Sequence, residues 1–167
     1  MTKDLWFTEN GRDNMGDNIP ADEINHAPNI GMHFGYPYCH QTNLPDPQFG
    51  SRKPCSDFTP PKQTLQAHVA SLGMRFYTGS MFPAEYKKKA FIALHGSWNR
   101  SSKVGYKIVT VEFNGNEVSR AQDFATGWLD DSTQQEWGRP VDILQLPDGS
   151  LLISDDGANA IYRISHE

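Results

Sequence analysis

Asp4, Glu9, Asp13, Asp17, Asp22 and Glu23 place six carboxylates within twenty residues, interleaved with Asn10, Asn14, Asn18, Gly11 and Gly16. Hard divalent cations take about six to eight oxygens, backbone carbonyls included, and a loop of this composition can supply them. A solvated acidic loop accounts for the same residues. Cys39 and Cys55 lie sixteen positions apart in a stretch dense in Pro, Asp and Gly, with no CxxC signature. They read either as a disulfide, worth about 3 kcal/mol in the loop-entropy account, or as two free thiols. His68 falls inside a strand pattern, where a lone histidine is ordinarily a satisfied core residue. His26, His33, His40 and His166 show no ligand spacing and read as surface or loop residues. Trp98, Asn99 and Arg100 form a loop between two strands, where Trp98 either stacks on a flat ligand or caps the core.

The chain that must position these groups has 167 residues, with 15 Lys and Arg against 20 Asp and Glu. The resulting net charge of −5 leaves no basic footprint for nucleic acid. A hydrophobic share of 37% is enough for a core, so one domain over residues 1–167 is expected. No apolar run approaches the roughly 18 residues of a membrane span, and residues 1–10 lack the basic flank and apolar stretch of an export leader. No membrane insertion is expected.

Periodicity is mostly two, which argues for strands. Strands are predicted over 4–8, 23–29, 66–78, 90–95, 106–113 and 119–124, with a short helical turn over 82–88. Asn114-Gly115 is a strong hairpin signal, and residues 140–146, 151–154 and 160–164 read as an up-and-down meander. Residues 36–62 hold six prolines and one glycine without apolar period, and read as a long irregular loop. Segments at 5–11, 91–96 and 151–157 each run from strand through polar residues to glycine. Such repeated endings suggest an all-β fold and a β-propeller fragment of about 2.5–3 blades, each a four-stranded antiparallel sheet; a β-sandwich is the alternative.

Several segments then match a family. Thr8-Glu9-Asn10-Gly11-Arg12, Asp22-Glu23-Ile24-Asn25, Phe34-Gly35-Tyr36-Pro37, His95-Gly96-Ser97-Trp98-Asn99-Arg100 and Gly138-Arg139-Pro140-Val141-Asp142 occur in this order. With Leu72-Gly73, residues 76–79, Gly105-Tyr106-Lys107 and residues 148–156, they resemble the C-terminal half of the soluble glucose/sorbosone dehydrogenases. These are six-bladed propellers that oxidise sugars with pyrroloquinoline quinone and calcium. The resemblance implies a fragment of a quinoprotein sugar dehydrogenase acting on an aldose or sorbosone-like sugar. The catalytic histidine of the family belongs to the other half, so no catalytic residue is assigned, His95 included. An isolated half-propeller that binds calcium or carbohydrate without catalysis is the alternative. A lactone-hydrolysing propeller would need a ring of carboxylate and amide ligands that this half does not display.

The same resemblance implies site residues. Carbonyls at Gly11 and Arg12 would hold the calcium that also meets the quinone, while Glu23 and the carbonyl of Phe34 would form a second, structural site. Arg12 stands where some members have proline. His68, Trp98, Asn99, Arg100 and Arg139 would line the cofactor; arginine suits its planar carboxylates, and the bland alternative for Arg139 is pairing with Asp142. No lysine aligns with the family's cofactor lysine, leaving Asn99, Arg100 or Lys103 to substitute. Relatives are usually periplasmic, a location that suits a Cys39–Cys55 disulfide. Unpaired sheet edges of a half-propeller invite a homo-oligomer.

Overall fold

Stretches of alternating side chains build ten main strands, and the computed structural model describes residues 4–167. Met1, Thr2 and Lys3, where the reading for an export leader begins, lie outside the described residues. Strands β1 (Leu5–Glu9), β2 (Ala21–Ala27) and β3 (Gln63–Ala67) make a first sheet in that order. A second sheet runs β7 (Gln122–Ala125), β6 (Lys107–Val111), β5 (Ala90–Leu94), β4 (Ser71–Phe76). The third runs β8 (Pro140–Gln145), β9 (Leu151–Asp155), β10 (Ala160–Ile164). All these neighbours pair antiparallel. Among the described residues the helical content is three single 3-10 turns, at Gly50–Arg52, Cys55–Asp57 and Ala84–Tyr86, so the all-β expectation holds.

The second sheet lies between the other two because both of its faces are apolar. Ala90, Ile92 and Leu94 share a buried cluster with Ile24 and Leu65 of the first sheet, together with Val109 and Val111. Phe91 and Ala93, one residue out of phase, pack with Ile108 and with Ile143, Leu151 and Ile153 of the third sheet. Period-two alternation thus sends one strand's side chains into two cores, and all five residues of β5 are buried.

Five expectations are corrected. Residues 66–78 are two strands in different sheets, broken where His68 and Ala70 take φ of 63° and 54°. Neither is a glycine, so no breaker marked the turn. The second strand starts at Ala21, and its residues Asp22–His26 are all buried. The returning strand starts at Gln122, and a two-residue ladder joining Leu129–Asp130 to Gln135–Glu136 was not foreseen. Only the middle sheet has four strands; the flanking sheets have three each, and the described residues form no closed ring. The 36–62 segment carries an unforeseen two-residue ladder of Cys39–His40 with Leu44–Pro45 and two of the 3-10 turns, and it is closed by a Cys39–Cys55 disulfide, which removes the free-thiol reading.

Register gathers one set of loops at one end of all three sheets. Ala21 pairs with Ala67, Ser71 with Leu94, Leu94 with Lys107, and Asp155 with both Pro140 and Ala160. The segments 10–20, 68–70, 95–106, 138–139 and 156–159 therefore form a common rim.

Candidate functional site

The rim is tied together by side chains that reach across sheets. Arg100 donates through Nη1 to the carbonyls of Asp17 and, at 3.4 Å, Ala67, and through Nε to that of Ser102 at 3.1 Å. The Ser101 amide donates to the Asp17 carboxylate at 3.0 Å, and Asn99 Nδ2 to Asp13 at 3.1 Å. The 95–106 loop thus lies against the 10–20 loop. Its base is set by Gly96, at φ 106°, where a Cβ would come within 2.4 Å of the Tyr106 ring. The Tyr106 hydroxyl donates to Ser97 O at 2.5 Å.

His68 closes the same corner. Its Nε2 lies 2.8 Å from Gly16 O and 2.9 Å from Ile19 O, and since carbonyls only accept, Nε2 carries the proton. Arg139 reaches from the start of β8 to Gly96 O, with Nη2 at 2.9 Å, and its guanidinium lies 5.9 Å from the Tyr106 ring centroid. It does not pair with Asp142, whose carboxylate accepts the amide of Ile143 instead. Lys103 pairs with Glu136 and so does not reach into the rim. Trp98 is 67% exposed, which excludes the reading as a core cap.

Buried polar groups are nearly always hydrogen-bonded, so the exceptions are informative. Among the described residues five buried side-chain polar atoms lack a partner. Three of these, His68 Nδ1, Asn99 Oδ1 and Arg139 Nε, belong to residues read for the cofactor. A fourth, Asn25 Oδ1, sits beside Glu23.

The six acidic residues do not converge as one loop. Asp4 pairs with His26 at 3.0 Å, Asp13 meets Asn99, and Asp17 is engaged by Ser101. Glu9 and Glu23 do converge, because they are cross-strand partners on one face of the first sheet. Asn25, next on that face, donates to Glu23 Oε2 at 2.8 Å. Asp22 points the other way and accepts the amides of Ser71 at 2.8 Å and Gly11 at 3.4 Å. Burial, then the charges of Glu23 and Asp22, pushes the Glu9 carboxyl up to about 8. Burial likewise raises Asp22 and Glu23 against the hydrogen bonds they accept. Crowded, desolvated carboxylates of this kind are relieved by a proton or a cation. Phe34 packs edge-on to Phe7 at 5.0 Å, which brings it to the same face as Glu23. Among the described residues no three His, Cys, Asp or Glu side chains are arranged to hold a metal by themselves. A cation here would therefore need backbone carbonyls as well.

One histidine was misread: His26 lies in β2, buried and stacked on Trp6 at 4.1 Å. His40 lies in the long loop as expected, but it is buried there against Asp46 at 2.9 Å. Asp46, which also takes Arg12, was not singled out, because nothing in a Pro-Asp-Pro stretch announces a long-range anchor. Glu9 was counted among the acids, but its pairing with Glu23 depends on a register that composition does not carry.

A family model described as TrAA12-like matches residues 1–167. An uncharacterized protein of Borreliella burgdorferi is 44% identical over 171 residues, which cover all of this chain and 45% of that protein. A pyrroloquinoline quinone-dependent pyranose dehydrogenase of Coprinopsis cinerea is 30% identical over 122 residues, 62% of this chain and 16% of that one. Among solved structures, the calcium structure of a Trichoderma reesei carbohydrate-active enzyme of family AA12 superposes with a TM-score of 0.83 at 23% identity. That superposition covers 98% of this chain and 49% of the other, so the chain spans about half the length of its full-length matches. The match over the whole sequence and the shared fold place this chain in the TrAA12-like family.

Proposed function

We propose that this chain is the quinone- and calcium-holding part of a quinoprotein sugar dehydrogenase that oxidises an aldose or sorbosone-like sugar. The observation that carries the reading is the collection of unpartnered buried polar atoms on one rim, at His68, Asn99 and Arg139. A pyrroloquinoline quinone-dependent relative and a calcium-containing structure of the same fold support it. In this reading the three sheets are half of a six-bladed propeller, and the rim faces its central channel.

Each side chain then has a task. The Arg139 guanidinium forms no ion pair among the described residues and donates only to a carbonyl, which leaves it free to meet an acidic ligand. Arg100 is committed to three carbonyls; it holds the 95–106 loop in place more than it meets an anion. His68 offers Nδ1 as an acceptor while Nε2 is held, Asn99 offers Oδ1, and exposed Trp98 offers a flat face. The carbonyls of Gly11 and Arg12 hold one calcium ion, and Glu23 with the Phe34 carbonyl holds another, where crowded carboxylates fit a cation. Pyrroloquinoline quinone, when bound, supplies the two-electron acceptor for the sugar. His95 is bonded through Nδ1 to Pro140 O at 3.1 Å and is given no catalytic role, since the family resemblance puts the base in the other half of the enzyme. Export to the periplasm and assembly through exposed sheet edges complete the proposal.

The test is an absorbance titration of the calcium-loaded chain with the quinone, followed by dye reduction with glucose. A saturable spectral shift, weakened at least roughly tenfold in Arg139→Ala and partly restored in Arg139→Lys, is expected. No shift with the native chain contradicts the reading. A shift without dye reduction is the result expected of this chain by itself, since the base comes from outside it.

A further inference from the structure

We infer that Asp46 is a positioning residue for the candidate calcium site, fixing Arg12 and with it the Gly11–Arg12 backbone that would present carbonyls to the ion. The inference rests on the functional reading above for the identity of the ion.

Asp46 lies in the long 36–62 loop, and its side chain is fully buried. One carboxylate oxygen, Oδ2, accepts from Arg12 Nη1 at 2.5 Å and from His40 Nε2 at 2.9 Å. The other, Oδ1, accepts the amides of Gln48 at 2.8 Å and Phe49 at 2.7 Å. A buried charge with four donors is a rigid anchor rather than a solvated group.

Both sides of the anchor are themselves fixed. The Asp46 amide donates to Tyr38 O at 2.9 Å, and Asp46 O accepts from Gly50 at 2.8 Å. The Cys39–Cys55 disulfide brackets this segment, and His40 directly follows the first cysteine. Across the interface, Gly11 is gripped from behind: a Cβ there would come within 2.6 Å of Pro20 Cγ, and its amide donates to Asp22 at 3.4 Å. The Gly11 backbone is thus held by Asp22 and Pro20, and the guanidinium end of the Arg12 side chain by Asp46. A cleft of about 530 Å³ lies between the two loops, bordered by Asn10, Asn14, Tyr36 and Pro37. Without Asp46 the long Arg12 side chain, a third exposed, has this space to swing through. Residues that orient ligating groups without touching the metal typically change affinity by about 10–100-fold when lost.

The test is calorimetric titration of the native chain and its variants with calcium, paired with melting curves with and without the ion. Asp46→Asn is expected to weaken calcium binding by about 10–100-fold. Arg12→Ala reads the same coupling from the less buried partner should the first variant fail to fold. Arg12→Lys is expected to restore part of the affinity lost in Arg12→Ala. The double variant Asp46→Asn/Arg12→Ala is expected to lose little more than either single variant, because both break one link. A lower melting temperature with an unchanged calcium affinity in both single variants overturns the inference and leaves the functional reading standing. A native chain that binds no calcium overturns both.

Discussion

Asp155 ends β9 as a buried carboxylate that accepts the amides of Arg139 and Ala158 at 2.8 Å each and the Tyr162 hydroxyl at 3.2 Å. Burial pushes its carboxyl up, but these donors outweigh burial and hold it below its ordinary value. A carboxyl depressed in the folded state binds fewer protons there than in the unfolded chain. It therefore adds stability above the ordinary value near 3.9, and that stability is lost as pH falls through the depressed one. Asp155→Asn is expected to cost roughly 1–3 kcal/mol at neutral pH, with the gap narrowing in acid. Denaturant melts at both pH values check this, and a gap independent of pH contradicts it. Gly138 guards the same group: an added Cβ would sit 2.2 Å from Asp155 Oδ2 and 2.6 Å from Trp128 Cδ1. Gly138→Ala is expected to cost about 1–3 kcal/mol in the same melts. At this scale the sequence showed residue types and little of their partners. Arg139 was found on the rim, but Asp155 was seen only as part of a turn, because its donors come from 16 and three positions away.

Elements were read best where local pattern and tertiary environment agree. Ala90–Leu94 is five apolar residues in a row, and a strand with a sheet on each face needs that composition. The reading failed at 66–78, where apolar alternation continues across a turn made by non-glycine residues at positive φ. There the pattern reports burial, which persists from one sheet to the next, while the break is set by packing between sheets. The 36–62 loop was recognised by its prolines, and its disulfide carries a measurable load. Replacing both Cys39 and Cys55 by Ser is expected to cost about 3 kcal/mol by the loop-entropy account. At about 2–4 °C per kcal/mol for a chain of this size, the melting temperature should fall by about 6–12 °C, and reductant should do the same to the native protein. An unchanged melting temperature contradicts that load.

At the scale of the whole molecule, the faces and edges at the two ends of the stack decide assembly. β1 and β3 of the first sheet and β8 and β10 of the third each have one unpaired edge among the described residues. On the outer side of the third sheet Leu144 is 50% exposed and Ile161 70% exposed. Apolar surface beside an open edge favours association, so a mass above 18.8 kDa is expected in solution by light scattering. Charge substitutions at Leu144 and Ile161 are expected to return the monomer, and a monomer from the native chain contradicts the prediction. The half-length span of the chain was foreseen from which family segments were present, while the number of strands in each sheet was not, since strand pairing is a property of register. The central claim is that the common rim receives a calcium ion and an acidic quinone. The most direct measurement is a crystal structure of the chain grown with both. The account predicts the ion on the Gly11 and Arg12 carbonyls and the quinone against His68, Asn99 and Arg139. A rim that stays empty under saturating concentrations would contradict it.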